Sequence, residues 1–218
     1  MIDLHTHTIF SDGLLIPSEL VRYAVVTGYK GIAVTDHGDH SNLDFIVPRI
    51  VEACKILSVS HHLPVIPGIE LTYVPPEHIA EMAARARQMG AMLVVVHGET
   101  IVEPVMPGTN MAALHAAVDI LAHPGLITAE AAALAAERGI YLEITTRRGH
   151  SLTNGHVAKM AREYGASLVM DTDAHLPEDL VTDEKARKIA AGAGLAEDEI
   201  LAMFRHSEEL LEQVSGGR

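Results

Sequence analysis

Short apolar segments rich in β-branched residues alternate with longer segments of helical periodicity along the whole chain. Seven of the short segments end close to Gly, Pro or polar residues and are predicted to be β-strands. They span Ile2–Thr8, Gly31–Thr35, Pro64–Leu71, Met92–Val96, Ile120–Ala122, Tyr141–Thr145 and Ser167–Met170. Strands that alternate with helices in this way are expected to lie parallel and to be joined by right-handed crossovers.

The segments between the predicted strands repeat their apolar residues at helical spacing. The predicted helices span Pro17–Thr27, Leu43–Ser58, Pro76–Met89, Met111–Val118, Thr128–Glu137, Asn154–Tyr164 and Thr182–Ala191. Four of them are followed by glycine, which favours the left-handed backbone of a helix C-terminus. These glycines are Gly28, Gly90, Gly139 and Gly165.

The last part of the chain is predicted to cover the sheet. Ala196–Val214 has the pattern of an amphipathic helix that packs across the strands. With this helix included, residues 1–214 are expected to form one domain, and residues 215–218 a loose tail.

Residues that can bind a metal stand at the end of nearly every predicted strand. His5 and His7 alternate along the first strand, so both imidazoles are expected on one face. Later strand ends carry His37, Glu70, His97, His123, Asp173 and His175. An unpaired carboxylate beside a buried apolar run would be costly, so a metal cluster is favoured. Five histidines in or beside helical patterns are expected to lie outside it: His61, His62, His78, His115 and His206.

These strand ends distinguish between two architectures. An open doubly wound sheet spreads its strand ends along a line, whereas a closed barrel arranges them in a ring. Because residues from nearly every strand must reach one cluster, a barrel of about seven parallel strands is predicted. The α/β class agrees with the composition, which is 48% hydrophobic but only 4% aromatic.

Charge and cysteine content restrict the function further. The formal net charge is −13 and no basic stripe is present, which disfavours binding to duplex nucleic acid. Cys54 is the only cysteine, so the metal ligands must be His, Asp and Glu, a set that suits zinc, manganese or iron. With no apolar run of membrane length and no secretory leader pattern, a cytoplasmic protein without membrane contact is expected.

Several separated motifs carry a family resemblance. They are His5-Thr6-His7, Ser11-Asp12-Gly13, Thr35-Asp36-His37, Gly68-Ile69-Glu70, His97-Gly98, His123-Pro124 and Asp173-Ala174-His175. Together they resemble the PHP (polymerase and histidinol phosphatase) superfamily. The resemblance implies a distorted seven-stranded (β/α) TIM-like barrel, two to three divalent ions of zinc, manganese or iron, and hydrolysis of a phosphoester by a metal-bound hydroxide. Amidohydrolase barrels also open with His-x-His but place a lysine at a strand end, which is missing here.

The resemblance also implies which residues bind metal. One ion would be held by His5, His7, Glu70 and Asp173. Glu70 would bridge to a second ion held by His97 and His123, and a third would be held by Asp12, His37 and His175. Of these, the catalytic set is expected to be Asp12, His37, Glu70, His97, Asp173 and His175. Asp12 stands where some members carry histidine, and its carboxylate favours a harder metal such as manganese.

Substrate contacts are expected after the strand Tyr141–Thr145. Arg147 and Arg148 could clamp a phosphate group, although a solvated loop is an equal alternative, and His150 could join the clamp. Glu99 could support the metal ligands or bind a substrate amine. The loop Val102–Asn110 could cover the barrel mouth or lie away from it.

Three functions compete at this point. The favoured one is a phosphatase of a small phosphorylated metabolite, with histidinol phosphate as the name-giving substrate of the superfamily. The second is a phosphodiesterase or nuclease that acts on nucleotides or short single strands, which the acidic charge disfavours. The third is a metal-binding PHP module without turnover.

Overall fold

Parallel strands in chain order form the centre of the fold in the computed structural model, which describes residues 1–216. The strands are β1 (Ile2–Asp3), β2 (Gly31–Val34), β3 (His37–Gly38), β4 (Val65–Leu71), β5 (Leu93–His97), β6 (Ile120–Ala122), β7 (Tyr141–Thr145) and β8 (Leu168–Asp171). Their order is β1-β2-β4-β5-β6-β7-β8, with β3 also paired to β4, and all pairs are parallel. The predicted seven-stranded TIM-like barrel is confirmed, with β3 as a short continuation of β2.

The barrel closes between its first and last strands through a short contact. Thr6 forms an isolated parallel bridge with Ala174, and the His7 amide donates to the Ala174 carbonyl at 2.9 Å. This closure brings the segments that follow β1 and β8 side by side. The histidines after β1 therefore lie next to the acidic residues after β8.

The first strand is shorter than the predicted Ile2–Thr8 because side chains replace part of its ladder. The Leu4 amide donates to the Asp171 carboxylate at 2.6 Å, and the Thr6 amide donates to the Thr35 hydroxyl at 3.0 Å. The backbone is therefore hydrogen-bonded without regular strand geometry. This irregular segment carries both His5 and His7.

Helices cover the outside of the barrel. They are α1 (Pro17–Thr27), α2 (Leu43–His61), α3 (Ile79–Gln88), α4 (Thr109–His115), α5 (Ala129–Arg138), α6 (Asn154–Tyr164), α7 (Asp183–Gly192) and α8 (Glu197–Ser215). The predicted helices are confirmed with small shifts at their ends. For example, α4 stops at His115, before the predicted Val118, because Ala116 is extended. Within residues 1–216, no helix has the length and apolar character needed to cross a membrane.

The last helix closes the amino-terminal end of the barrel. Leu210, Leu211 and Val214 of α8 belong to one buried cluster with residues from inside the barrel, among them Ile2 and Leu93. The predicted packing of this helix across the strands is confirmed. The helix continues through Ser215, which was expected to begin a loose tail over 215–218. Residues 217–218 of that expected tail lie outside the described part.

We expect the contact between α8 and the barrel to stabilise the fold substantially. Leu210 is 1% exposed, so Leu210→Ala should lower the free energy of unfolding by about 2–5 kcal/mol through lost burial and a cavity. Leu201 lies on the same helix and is 42% exposed, so Leu201→Ala should change the free energy of unfolding by less than about 1 kcal/mol. Urea denaturation followed by circular dichroism measures both. Equal losses would contradict this role of α8.

Candidate metal centre

Glu70, near the carboxyl end of β4, is the central carboxylate of the site. Its side chain is fully buried and faces imidazoles from several neighbouring segments. Oε1 lies 3.3 Å from His5 Nε2, 3.2 Å from His97 Nδ1 and 3.5 Å from His123 Nε2. His37 is the register partner of Glu70 in the ladder between β3 and β4, which brings a fourth imidazole to the same carboxylate.

Asp173 is the second buried carboxylate and follows β8. Its Oδ1 lies 3.1 Å from His7 Nε2, 4.0 Å from His5 Nε2 and 3.4 Å from His175 Nδ1. The backbone of Asp173 is left-handed, with φ 51°, and His123 also has a positive φ, 27°. Such strained residues cluster at functional sites. The two side chains meet at the barrel mouth, where His123 Nε2 lies 3.8 Å from Asp173 Oδ2.

Asp12 joins the site from the loop after β1. Its Oδ1 lies 3.1 Å from His175 Nε2 and 3.3 Å from His37 Nε2. The side chain is exposed, unlike Glu70 and Asp173, so this part of the site is open to solvent. Asp12 thus links the ends of the first, second and last strands.

The loop that carries Asp12 is fixed by Asp36. The Asp36 carboxylate accepts hydrogen bonds from the Thr8 amide and hydroxyl, both at 2.7 Å, and from the Ser11 hydroxyl, also at 2.7 Å. Gly13 packs against this loop so closely that a Cβ would lie 2.5 Å from the His7 carbonyl oxygen. Asp36 therefore supports the site from beneath and does not point into it.

All nine residues that were expected to bind metal lie in one continuous cluster. Among residues 1–216, five groups of side chains have ligand atoms within 4.8 Å of one another, and three of these groups consist of the expected residues alone. The three are His5, His7 and Asp173; Glu70, His97 and His123; and His7, Asp12, His37 and His175. The other two add Glu143 to His5 and His123, and His150 to His123 and Asp173. Each group contains histidine and carboxylate donors, the combination that binds zinc, manganese or iron.

Protons on imidazoles balance the buried carboxylates. Burial opposes protonation of His5, but the carboxylates of Glu70 and Glu143 raise its pKa well above the usual value. For His37, Glu70 and Asp12 likewise outweigh burial and raise the pKa to about 10. Burial alone would raise the pKa of Glu70, yet the charges of His5 and His37 hold it well below the usual value. Divalent cations can replace these protons.

Several imidazole nitrogens in the cluster have no aligned hydrogen bond, although a carboxylate oxygen lies 3.1 Å from His7 Nε2 and another 3.1 Å from His97 Nε2. These buried atoms are His5 Nε2, Nδ1 and Nε2 of His7, His97 Nε2 and His123 Nδ1. An unsatisfied buried polar atom costs about 1–3 kcal/mol, which coordination to a metal removes. His5 Nε2 lies 3.3 Å from Glu70 Oε1 without an aligned hydrogen bond, as expected of two ligand atoms around one centre. The residues therefore fit divalent metal ions.

The sequence analysis missed Glu143, which lies inside β7. This carboxylate is fully buried, with Oε1 2.7 Å from His5 Nδ1 and Oε2 accepting from the His123 amide at 2.9 Å. The signal that could have revealed it is an acidic residue within an otherwise apolar strand. Such a charge needs a partner inside the barrel.

Two loop residues, Tyr73 and Glu103, were also missed. Glu103 Oε2 lies 3.1 Å from His97 Nε2 and accepts a hydrogen bond from the Tyr73 hydroxyl at 3.0 Å. The Tyr73 ring stacks on His97, with ring centroids 5.5 Å apart. Glu103 therefore places the start of the Val102–Asn110 loop at the barrel mouth. The sequence carries no periodic signal for such loop residues.

Glu99 has a local role at the start of α4. Its Oε1 accepts hydrogen bonds from the amides of Gly108 and Asn110, at 3.0 and 2.9 Å. The carboxylate thereby satisfies free amides at the beginning of the helix. It does not line the cavity above the metal cluster.

The residues expected to bind substrate separate into two groups. Arg147 Nε lies 3.9 Å from Asp173 Oδ2, and its guanidinium donates to the Asp179 carboxylate at 3.1 Å. His150 is buried, with Nε2 3.8 Å from Asp173 Oδ2. Arg148 is exposed and lies outside the cavity lining. The turn after β7 therefore presents Arg147 and His150 to the metal cluster.

A cavity of about 500 Å³ opens onto the cluster. Its lining includes Asp12, His37, Tyr73, His97, Glu103, Arg147, His150, Asp173 and His175. This volume suits a small molecule, and the lining combines metal-binding residues with a guanidinium and a carboxylate. The five histidines that were set aside by their sequence context do not contribute to it.

Comparisons with known proteins identify the family. The PHP domain profile matches residues 3–103. An uncharacterized protein of Methanocaldococcus jannaschii is 48% identical and covers 97% of this chain and 99% of its own. A protein of Shewanella sp. strain MR-4 named probable phosphatase is 31% identical, over 92% of this chain and 86% of its own length.

A solved structure agrees at the level of the fold. The histidinol phosphate phosphatase of Lactococcus lactis subsp. lactis, complexed with zinc, L-histidinol and phosphate, matches with a TM-score of 0.64 and 18% identity. The match covers 89% of this chain and 94% of that chain. The chain therefore belongs to the PHP domain family, and the expectation of a metal-dependent phosphoesterase of that family is confirmed.

Proposed function

We propose that this protein hydrolyses phosphomonoesters of small metabolites at a centre of two to three divalent metal ions. The observation that carries the proposal is the position of the nine-residue cluster. Five members of the cluster line a cavity of about 500 Å³: Asp12, His37, His97, Asp173 and His175. A cavity of this size over a metal-binding floor suits a small anionic substrate.

The three groups of ligands would each hold one ion. Glu70 belongs to the second group, but its Oε1 also lies 3.3 Å from His5 Nε2 of the first group, so it would be shared between the two ions. Divalent ions in such a centre supply a water of lowered pKa and positive charge for the phosphoryl group. The carboxylates of Asp12, Glu70 and Asp173 balance only part of that charge. The loaded centre would therefore attract a phosphate dianion, even though the protein is acidic overall.

Two residues beside the cluster would orient the phosphoryl group. Arg147 is held by Asp179, which fixes the guanidinium near Asp173 and leaves other N–H groups to bind phosphoryl oxygens. His150 Nδ1 lies 2.8 Å from the Thr100 hydroxyl, which fixes the ring and presents Nε2 to the cavity. Both contacts favour a terminal phosphate over a diester, which offers fewer free oxygens.

Glu103 and Tyr73 would face the leaving group. Glu103 is partly exposed at the mouth of the cavity. Unlike Asp12 and Asp173, which also line the cavity, it belongs to none of the metal-binding groups. A carboxylate at this position would attract an amine. L-histidinol phosphate, which combines an amine with a phosphomonoester, is therefore the first substrate to test.

His175→Ala should remove one metal ion and lower the rate of phosphate release by about 100-fold or more. The variant loses one of the imidazoles that hold the group around Asp12, while the apolar core is untouched. Metal content after loading with zinc or manganese, and inorganic phosphate released from L-histidinol phosphate, measure the two effects.

His115→Ala is the matched control, because His115 is exposed at the end of α4 and away from the cavity. It should keep both metal content and rate. Wild-type metal content and rate in His175→Ala would contradict the proposal. Metal-loaded wild-type protein that releases phosphate only from nucleotide diesters would favour the phosphodiesterase alternative. No turnover at all would favour a non-catalytic module.

Arg147→Ala should raise KM for a phosphomonoester by about 10-fold, because one charge-assisted contact to phosphate is lost. Arg148→Ala should leave KM within about twofold, since Arg148 is exposed and lies outside the cavity. Initial rates over a range of substrate concentrations separate the two arginines. An effect of Arg148→Ala equal to that of Arg147→Ala would contradict the proposed phosphate contact.

A further inference from the structure

A buried carboxylate outside the nine-residue cluster contacts two of its members. Glu143 lies in the middle of β7 and is fully buried. We propose that Glu143 is a positioning residue, which fixes His5 and His123 so that both present a free nitrogen to metal. This inference rests on the proposed role of His5 and His123 as metal ligands.

The contact with His5 determines which imidazole nitrogen is free. Glu143 Oε1 lies 2.7 Å from His5 Nδ1 in an aligned hydrogen bond between two fully buried groups. A carboxylate only accepts, so His5 Nδ1 carries the proton. His5 Nε2, which lies 3.3 Å from Glu70 Oε1 and has no hydrogen-bond partner, is then the nitrogen whose proton a metal would replace. This is the arrangement of a histidine ligand oriented by a carboxylate.

The contact with His123 acts on the backbone. Glu143 Oε2 accepts a hydrogen bond from the His123 amide at 2.9 Å. His123 has a positive φ of 27°, a conformation that a residue with a side chain adopts only when its surroundings impose it. With the amide held in this way, His123 Nε2 lies 3.5 Å from Glu70 Oε1.

The ligand atoms of Glu143, His5 and His123 also lie within 4.8 Å of one another. A direct ligand role for Glu143 is nevertheless disfavoured, because each of its oxygens already contacts an N–H group of a ligand residue. A glutamine could not make the same two contacts, because its NH2 group would donate where one of the two carboxylate oxygens accepts. The negative charge has a use beside His5, where it makes the opposite nitrogen a stronger donor to a metal.

Glu143→Gln tests the proposal because it keeps the size of the side chain and removes its charge. Metal affinity, measured by competition with a chelating dye on the full chain, should fall by about 10- to 100-fold. Glu99→Gln is the matched control, since the Glu99 carboxylate also accepts two hydrogen bonds but from the start of α4. It should leave metal affinity within about twofold.

Long-range proton–nitrogen NMR spectra of zinc-loaded wild-type protein give a second test that needs no variant. They should show His5 with a proton on Nδ1 and zinc on Nε2. Unchanged metal affinity in a folded Glu143→Gln protein, or zinc on His5 Nδ1, would overturn the inference. Either result in an active wild-type enzyme would leave the proposed function standing, whereas failure of the wild type to bind metal would overturn the proposed function itself.

Discussion

The burial of two carboxylates, Glu70 and Asp173, is the constraint on which the rest of this structure depends. Neither charge can remain in the barrel without compensation, since an unpaired buried carboxylate costs several kcal/mol. Protons on the surrounding imidazoles compensate Glu70. Burial opposes charge on both groups, but Glu70 raises the pKa of His5 and His5 lowers the pKa of Glu70. The same geometry accepts divalent ions in place of those protons. Metal ions and protons therefore compete for the same imidazole nitrogens in the cluster.

The barrel makes this charge arrangement possible. Parallel strands that close into a ring bring their carboxyl ends to one mouth, and the contact between Thr6 and Ala174 joins the first and last of these ends. At the opposite end, α8 buries Leu210 and Val214 against the strands, so the apolar and the charged ends of the barrel are separated. Two residues of the cluster with positive φ, His123 and Asp173, lie at the charged end. Stability and chemistry therefore depend on different ends of the same strands.

Much of this arrangement could be predicted because it follows from strand periodicity. His5, Glu70 and Asp173 stand at or beside the ends of apolar runs. Because the strands of a barrel are parallel, their carboxyl ends all lie at the same mouth. Asp12 lies in a loop without periodicity, so only the family resemblance pointed to it.

Glu143 was missed because the alternation of a strand gives the face of a side chain but not its partner. The separation of Arg147 from Arg148 depends on the contact of Arg147 with Asp179, 32 residues away in sequence, which no local pattern reveals. Tyr73 and Glu103 likewise meet only through the conformation of two loops.

The most direct test of the account is a crystal structure of zinc- or manganese-loaded protein with anomalous diffraction data. We expect two or three ions among the nine residues, with Glu70 in contact with two of them. Ions bound elsewhere, with the imidazoles around Glu70 free of metal in an active enzyme, would contradict it.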